Sequence, residues 1–312
     1  MQSPKHACAA PTSNRLPRRR WLGAVGALGA SIWGLAGSGC ALSPDVDHSG
    51  ADAPSAGPLA QTPRVAWVFS SGGPRGFVHV GVLKALDEIG VQPDLIVGAS
   101  AGAFVGVMRA SGMTGRQIEA LALDLQPWKL ARLAIGAEER LAGTALADFI
   151  RSTLREPLLE RQPIPVACVA QRMNDGAVIG FDRGDAGLAV QAAAAMEGRF
   201  TPVRIRGQRH FDADQSMPLP VRVAKGLGAL RVLAVDASAH EDRAPAGAER
   251  YRVGDLHKRE LTRPDAELAD VLLHPDFGYW VSLSDEFRRR AIDAGYQATL
   301  AIAPRILALH KA

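Results

Sequence analysis

The chain has 312 residues, of which 47% are hydrophobic and 22% charged. That is enough apolar material for one large α/β domain or two small ones, and too much for a disordered chain. Much of the formal net charge of +4 comes from Lys5, Arg15, Arg18, Arg19 and Arg20, and no basic patch with interleaved aromatics follows, which argues against a nucleic-acid partner.

The first element is the stretch RLPRRRWLGAVGALGASIWGLAGSGC. A basic start, a Gly/Ala-rich apolar run from Trp21 to about Gly37, and small residues before Cys40 read as an export signal over residues 1–39. The run is near the lower limit for crossing a bilayer and only moderately hydrophobic, so a permanent transmembrane helix is disfavoured. Arg18 to Leu22 resembles a twin-arginine signal, and Ser38-Gly39-Cys40 resembles the end of a bacterial lipobox, although Gly37 stands where Leu is usual. The expectation is lipidation of Cys40 and a membrane-anchored protein facing the periplasm, with twin-arginine and Sec export both open. Cys8 would leave with the signal, so Cys168, in the strand-like run PIPVACVAQ, has no disulfide partner and reads as a small buried hydrophobe. Residues 40–62 are rich in Pro, Ala, Gly, Ser and Asp without periodicity, and are expected to be a flexible tether in which His48 is solvated.

From residue 63 the pattern becomes that of one domain running to residue 312. A strand is expected at Val65 to Phe69, a Gly-rich turn at Gly72 to Gly76, a helix at about Phe77 to Ile89, and a second strand from Leu95. This βαβ opening implies a parallel sheet with both special turns at the carboxyl ends of their strands, facing one crevice. The Gly-rich turn has two readings. It has the spacing of a dinucleotide fingerprint with Ser71 in place of the first glycine, or its backbone N–H groups form an oxyanion hole. The second turn, Gly98-Ala99-Ser100-Ala101-Gly102, is a G-x-S-x-G arrangement that would hold Ser100 outward on a strand-to-helix bend. A nucleophile needs preorganised donors for the developing oxyanion, worth about 2.7–4 kcal/mol each, and no acidic residue stands at the end of the second strand to hold a ribose. Both points favour the oxyanion reading.

Gly72, Gly73, Pro74, Arg75 and Gly76, with His79, Gly81, Val82 and Leu83, and then Gly98 to Gly102, resemble the two leading motifs of the patatin-like phospholipases. The segment Ala192 to Asp214 is similar to the approach to that family's third motif, and LLHPDFGYW with IDAGYQAT resembles its C-terminal segment. The resemblance implies a three-layer α/β/α sandwich with a mainly parallel sheet, lipid acyl hydrolysis by a Ser/Asp dyad without histidine, and no metal or cofactor. By that resemblance Ser100 matches the nucleophile and Asp212 the catalytic aspartate. Gly72, Gly73, Arg75 and Gly76 match the oxyanion loop, while Pro74 has no N–H to give. His79 is expected to pack against the sheet. The chain departs from the family at Asp212-Ala213-Asp214, where Asp-Gly-Gly or Asp-Gly-Ala is usual, and at Ala193 and Glu197. Asp214 would either raise the pKa of Asp212 by repulsion or be solvated.

Two rival readings stand beside this one. A Ser-His-Asp hydrolase could draw its histidine from His240, His257 or His274, but that fold places several strands before its elbow, and here one βα unit precedes Ser100. A non-catalytic lipid-binding protein is the other. Leu125, Trp128, Leu130, Leu133 and Ile135 are either a lid that dips into a membrane or core. The arginines of the helix from about Asp285 read as a solvated face, and secondarily as a headgroup patch.

Overall fold

The computed structural model describes residues 46–134 and 137–311, so the export-signal and Cys40 expectations lie outside the described residues, as does Ile135. In chain order the strands are β1 (Asp47–His48), β2 (Val65–Phe69), β3 (Leu95–Ala99), β4 (Arg132–Leu133), β5 (Leu141–Ala142), β6 (Val166–Arg172), β7 (Val178–Phe181), β8 (Val203–Ile205), β9 (Gln208–Asp212), β10 (Arg231–Val235) and β11 (Val271–Leu273). The helices are α1 (Phe77–Ile89), α2 (Ala101–Ala110), α3 (Gly115–Asp124), α4 (Thr144–Thr153), α5 (Ala186–Ala193), α6 (Val221–Gly226), α7 (Glu249–Ala266), α8 (Asp285–Ala301) and α9 (Ala303–Lys311).

Among the described residues one large sheet runs in the order β1-β8-β9-β6-β3-β2-β10-β11, with β7 paired to β6, while β4 and β5 form a separate hairpin. The pairs from β6 through β3, β2 and β10 to β11 are parallel, and β6 meets both β7 and β9 antiparallel. Burial on both faces explains why these strands are continuous apolar runs without alternation. Side chains nonetheless alternate by face: Val65, Trp67 and Phe69 of β2 join one core with α1, α2, α5 and α8. Ala66 and Val68 join a second core under α6 and the end of α7. Helices cover both faces, giving the expected three-layer mainly parallel α/β/α architecture.

The stretch expected to be a flexible tether is corrected by its described part. Residues 46–62 lie along the domain: Asp47 and His48 pair with Arg204 and Ile205, Ser55 exchanges backbone hydrogen bonds with Arg183, and Ala53 is buried in the core. His48 is therefore a half-buried strand residue, not a solvated one. A low-periodicity stretch can still be ordered when its backbone finds a sheet edge to pair with.

One consequence of the register sets up the site. Along β6, β3 pairs up to Ala99 opposite Val169, and β9 pairs from Asp212 opposite Ala170. A parallel and an antiparallel strand thus end head to head beside β6. The residue after Ala99 is Ser100.

Candidate active site

Ser100 is the N-terminal boundary of α2 and has φ 51° and ψ −119°, a conformation that non-glycine residues avoid. Such a position persists only where its surroundings fix it. The flanking glycines show how. A Cβ at Gly98 would lie 2.4 Å from the backbone of Gly102, and a Cβ at Gly102 would lie 2.2 Å from the Phe69 carbonyl oxygen. The elbow therefore needs both glycines to fold its helix onto the strand. The Ser100 amide donates to the Ala193 carbonyl (3.1 Å), and the Asp212 amide donates to the Ala195 carbonyl (3.0 Å). The segment that leaves α5 thus pins both residues, a tie that no spacing in the sequence announces.

The Asp212 carboxylate is buried and accepts a hydrogen bond from Ser100. Burial is the main influence on it and favours the neutral acid; the Ser100 hydrogen bond works the other way, the Asp214 charge adds to the rise, and the carboxyl is pushed up to about 7. A carboxylate at that value is matched to proton transfer near neutral pH.

The Gly-rich loop is tightly tethered. The Ser70 amide donates to the Val235 carbonyl (3.0 Å), the Ala237 amide donates to Ser70 Oγ (2.8 Å), and the Ser71 amide donates to the Pro218 carbonyl (2.8 Å). Gly73, at φ +51°, turns the chain into a 3-10 turn, Gly73–Gly76. The four residues matched to the oxyanion loop divide by what they can offer. The Arg75 amide donates to the Gly72 carbonyl (3.0 Å) and its guanidinium to the Tyr279 carbonyl (2.5 Å), so Arg75 braces the loop. Gly76 lets the loop settle on the elbow, since a Cβ there would lie 2.4 Å from that of Ala101. Among the described residues, the Gly72 and Gly73 amides have no backbone acceptor, which leaves them as the available donors.

In front of Ser100 lies a cavity of about 280 Å³ lined by Gly73, Phe77, Phe104, Leu125, Leu146 and Met196, among others, and among the described residues Ser100 is the one polar side chain in its lining. That lining suits an acyl chain and offers a dinucleotide no charged or polar side chain besides Ser100, so the dinucleotide reading of the loop gains nothing from the cavity. The segment read as either lid or core divides between cavity-lining and exposed residues. Leu125 and Leu130 line the cavity, while Trp128 is 68% and Leu133 81% exposed beside it.

His79 is fully buried; its Nε2–H donates to the Ser70 carbonyl at 2.9 Å, and burial lowers its pKa to about 4, so it is neutral and structural. Cys168 is buried in β6, and burial pushes its thiol well above the usual range. Of the histidines considered for a triad, His240 and His274 stack on each other with ring centroids 3.8 Å apart, in a separate polar cavity with Asp236 and Ser238. His257 is exposed on α7. None of the three lines the cavity in front of Ser100.

Asp214 is neither solvated nor free. Its amide donates to Asp212 Oδ1 (2.9 Å), and its carboxylate accepts from the Ser71 hydroxyl and from Lys258 Nζ (2.6 Å). Burial alone would raise its pKa, but Lys258 and the Ser71 hydroxyl outweigh burial and hold it below the usual carboxylate range. Sequence reasoning missed Lys258, which stands 44 residues downstream on a polar helix.

A family model described as patatin-like phospholipase matches residues 67–225. Over 215 residues the chain is 32% identical to an uncharacterized NTE family protein of Mycobacterium tuberculosis, covering 68% of this chain and 59% of that one. Over 187 residues it is 28% identical to the Aspergillus fumigatus protein named lysophospholipase nte1, covering 58% of this chain and 12% of that one. The chain thus spans about three fifths of the length of the first of these relatives. The crystal structure of VipD from Legionella pneumophila shares the fold, with a TM-score of 0.50 at 14% identity over 78% of this chain and 67% of that chain.

Proposed function

The chain belongs to the patatin-like phospholipase family, and we propose that it is a serine acyl hydrolase of lipid esters in which Ser100 and Asp212 form the catalytic dyad. The observation that carries this reading is the hydrogen-bonded pair of a strained elbow serine and a buried aspartate at the end of an otherwise apolar cavity. Asp212 accepts the Ser100 proton as Oγ attacks the ester carbonyl carbon, and the oxyanion that forms is met by the Gly72 and Gly73 amides. Collapse of the tetrahedral intermediate expels the alcohol, which takes the proton from Asp212. Water then attacks the acyl-enzyme, again losing its proton to Asp212, and the fatty acid leaves with Ser100 restored. Every step uses groups of this chain, water and substrate, and no metal or cofactor enters it.

The alternative of a lipid-binding protein without turnover rests on the unusual Asp214. Its carboxylate is turned to Lys258 and Ser71 while its amide donates to the Asp212 carboxylate, which favours turnover over mere binding. A lipid anchor on Cys40 at a periplasmic membrane face remains part of the proposal, supported by the pattern before Cys40. The relative named lysophospholipase makes lysophospholipids the first substrates to try. The purified protein should release fatty acid from lysophosphatidylcholine or from a medium-chain ester. Ser100→Ala should lose all of that release with its circular dichroism spectrum unchanged, whereas turnover that survives in Ser100→Ala would remove the assignment.

A further inference from the structure

Helix α7 is strongly polar, yet it packs beside the dyad. Its inward positions recur at helical spacing as Asp255, Lys258, Thr262 and Asp265. Each makes a polar contact where an apolar stripe would be usual. Asp255 accepts from the Tyr279 hydroxyl, Lys258 reaches Ser71 Oγ (3.1 Å) and Asp214 Oδ1 (2.6 Å), and Asp265 accepts from the Arg222 amide (2.7 Å) and Nε (2.9 Å). Thr262 closes the row by donating to the Lys258 carbonyl at 2.9 Å.

Ser71 immediately precedes the Gly72 and Gly73 amides, and Asp214 lies two residues beyond Asp212 with its amide on the Asp212 carboxylate. One ammonium therefore holds a residue of the donor loop and a residue of the aspartate turn at a single point. We propose that Lys258 is a positioning residue for the Ser100–Asp212 reaction: it locks the oxyanion loop to the aspartate turn and neutralises the Asp214 charge beside the base. The inference rests on the dyad reading. The charged and titratable groups at this junction are Asp212 and Asp214 from the strand-end turn and Lys258 from α7. One turn along the helix, Asp255 faces Arg75 and Tyr279, and His79 beneath the loop is neutral.

Without Lys258 the Asp214 anion faces Asp212 uncompensated, and repulsion between like charges favours the protonated, inactive base. Without Asp214 the Lys258 cation acts alone and favours the anion. The two changes therefore push the base in opposite directions, which a loss of packing cannot do.

The test is the pH profile of kcat/KM on a soluble short-chain ester for the full chain and five variants. The rising limb is expected to move up by roughly 1 pH unit in Lys258→Met, with kcat/KM at pH 7 falling roughly fivefold. It should move down in Asp214→Asn, return close to the wild-type position in the Lys258→Met/Asp214→Asn double variant, and stay in place in Lys258→Arg. A limb that stays fixed in all variants, or moves the same way in both single variants, overturns the inference while leaving the dyad standing. A wild-type profile with no limb near neutrality, or full turnover in Asp212→Asn, overturns the dyad reading itself.

Discussion

At the scale of single residues, Asp212 is held where its charge is unfavourable. Its folded-state pKa, about 7, lies above the ordinary carboxylate value of 3.8, so the stability contributed by the neutral buried acid is full below about pH 4 and lost as the pH rises through about 7. Asp212→Asn, which keeps an acceptor for the Asp214 amide and removes the charge, should therefore unfold at a higher temperature than the wild type at pH 8. The two should unfold alike at pH 4, and the variant should have no esterase activity. Equal unfolding temperatures at both pH values would show that Asp212 ionises without cost. The position of Ser100 on its elbow was legible because small residues flank it on a strand-to-helix bend, and that of Asp212 beside it because the family resemblance sets the register of the third motif after Arg209. The division of labour in the loop was not. Whether the amide of Arg75 points at a substrate or at the Gly72 carbonyl depends on a local 3-10 turn, which leaves no mark on residue type.

At the scale of elements, α1 and α8 touch through their backbones. A Cβ at Gly81 would lie 1.8 Å from the Ile292 carbonyl oxygen, and one at Gly295 would lie 2.2 Å from that of Val78. Gly81→Ala should destabilise the fold by about 1–3 kcal/mol through overpacking, read as a fall in the denaturation midpoint. An unchanged midpoint would mean that the helices can slide apart freely. The segment that runs from the end of α3 into β4 carries a different expectation. Trp128 and Leu133 project from a segment whose Leu125 and Leu130 line the cavity, an arrangement suited to contact with a lipid surface. Trp128→Ser with Leu133→Ser should leave hydrolysis of a soluble short-chain ester unchanged and lower hydrolysis of vesicle-borne lipid severalfold. Equal activity on both would assign the exposure to another purpose. Apolar spacing alone left lid and core unresolved because cavity-lining and exposed apolar residues are interleaved along the segment. The opening strand, the first helix and β3 were readable from periodicity, since strands buried on both faces give apolar runs of fixed length. Helix α7 was silent, because its docking is polar and its partners, Asp214, Arg222 and Tyr279, are scattered along the chain.

At the scale of the whole molecule, the βα unit brings the Gly-rich loop and Ser100 to one apolar cavity, and the head-to-head meeting of β3 and β9 beside β6 sets Asp212 against Ser100. Among the described residues no helix is long and apolar enough to cross a membrane. The central claim is that Ser100 is activated by Asp212 without histidine. It is met most directly by fluorophosphonate labelling of the intact chain, with the modified peptide identified by mass spectrometry. The added mass should fall on Ser100, with a labelling rate that rises through about pH 7, is lost in Asp212→Asn and persists in a His240→Ala/His274→Ala variant. Mass on another serine such as Ser238, or labelling that survives in Asp212→Asn and disappears in the histidine variant, would contradict it.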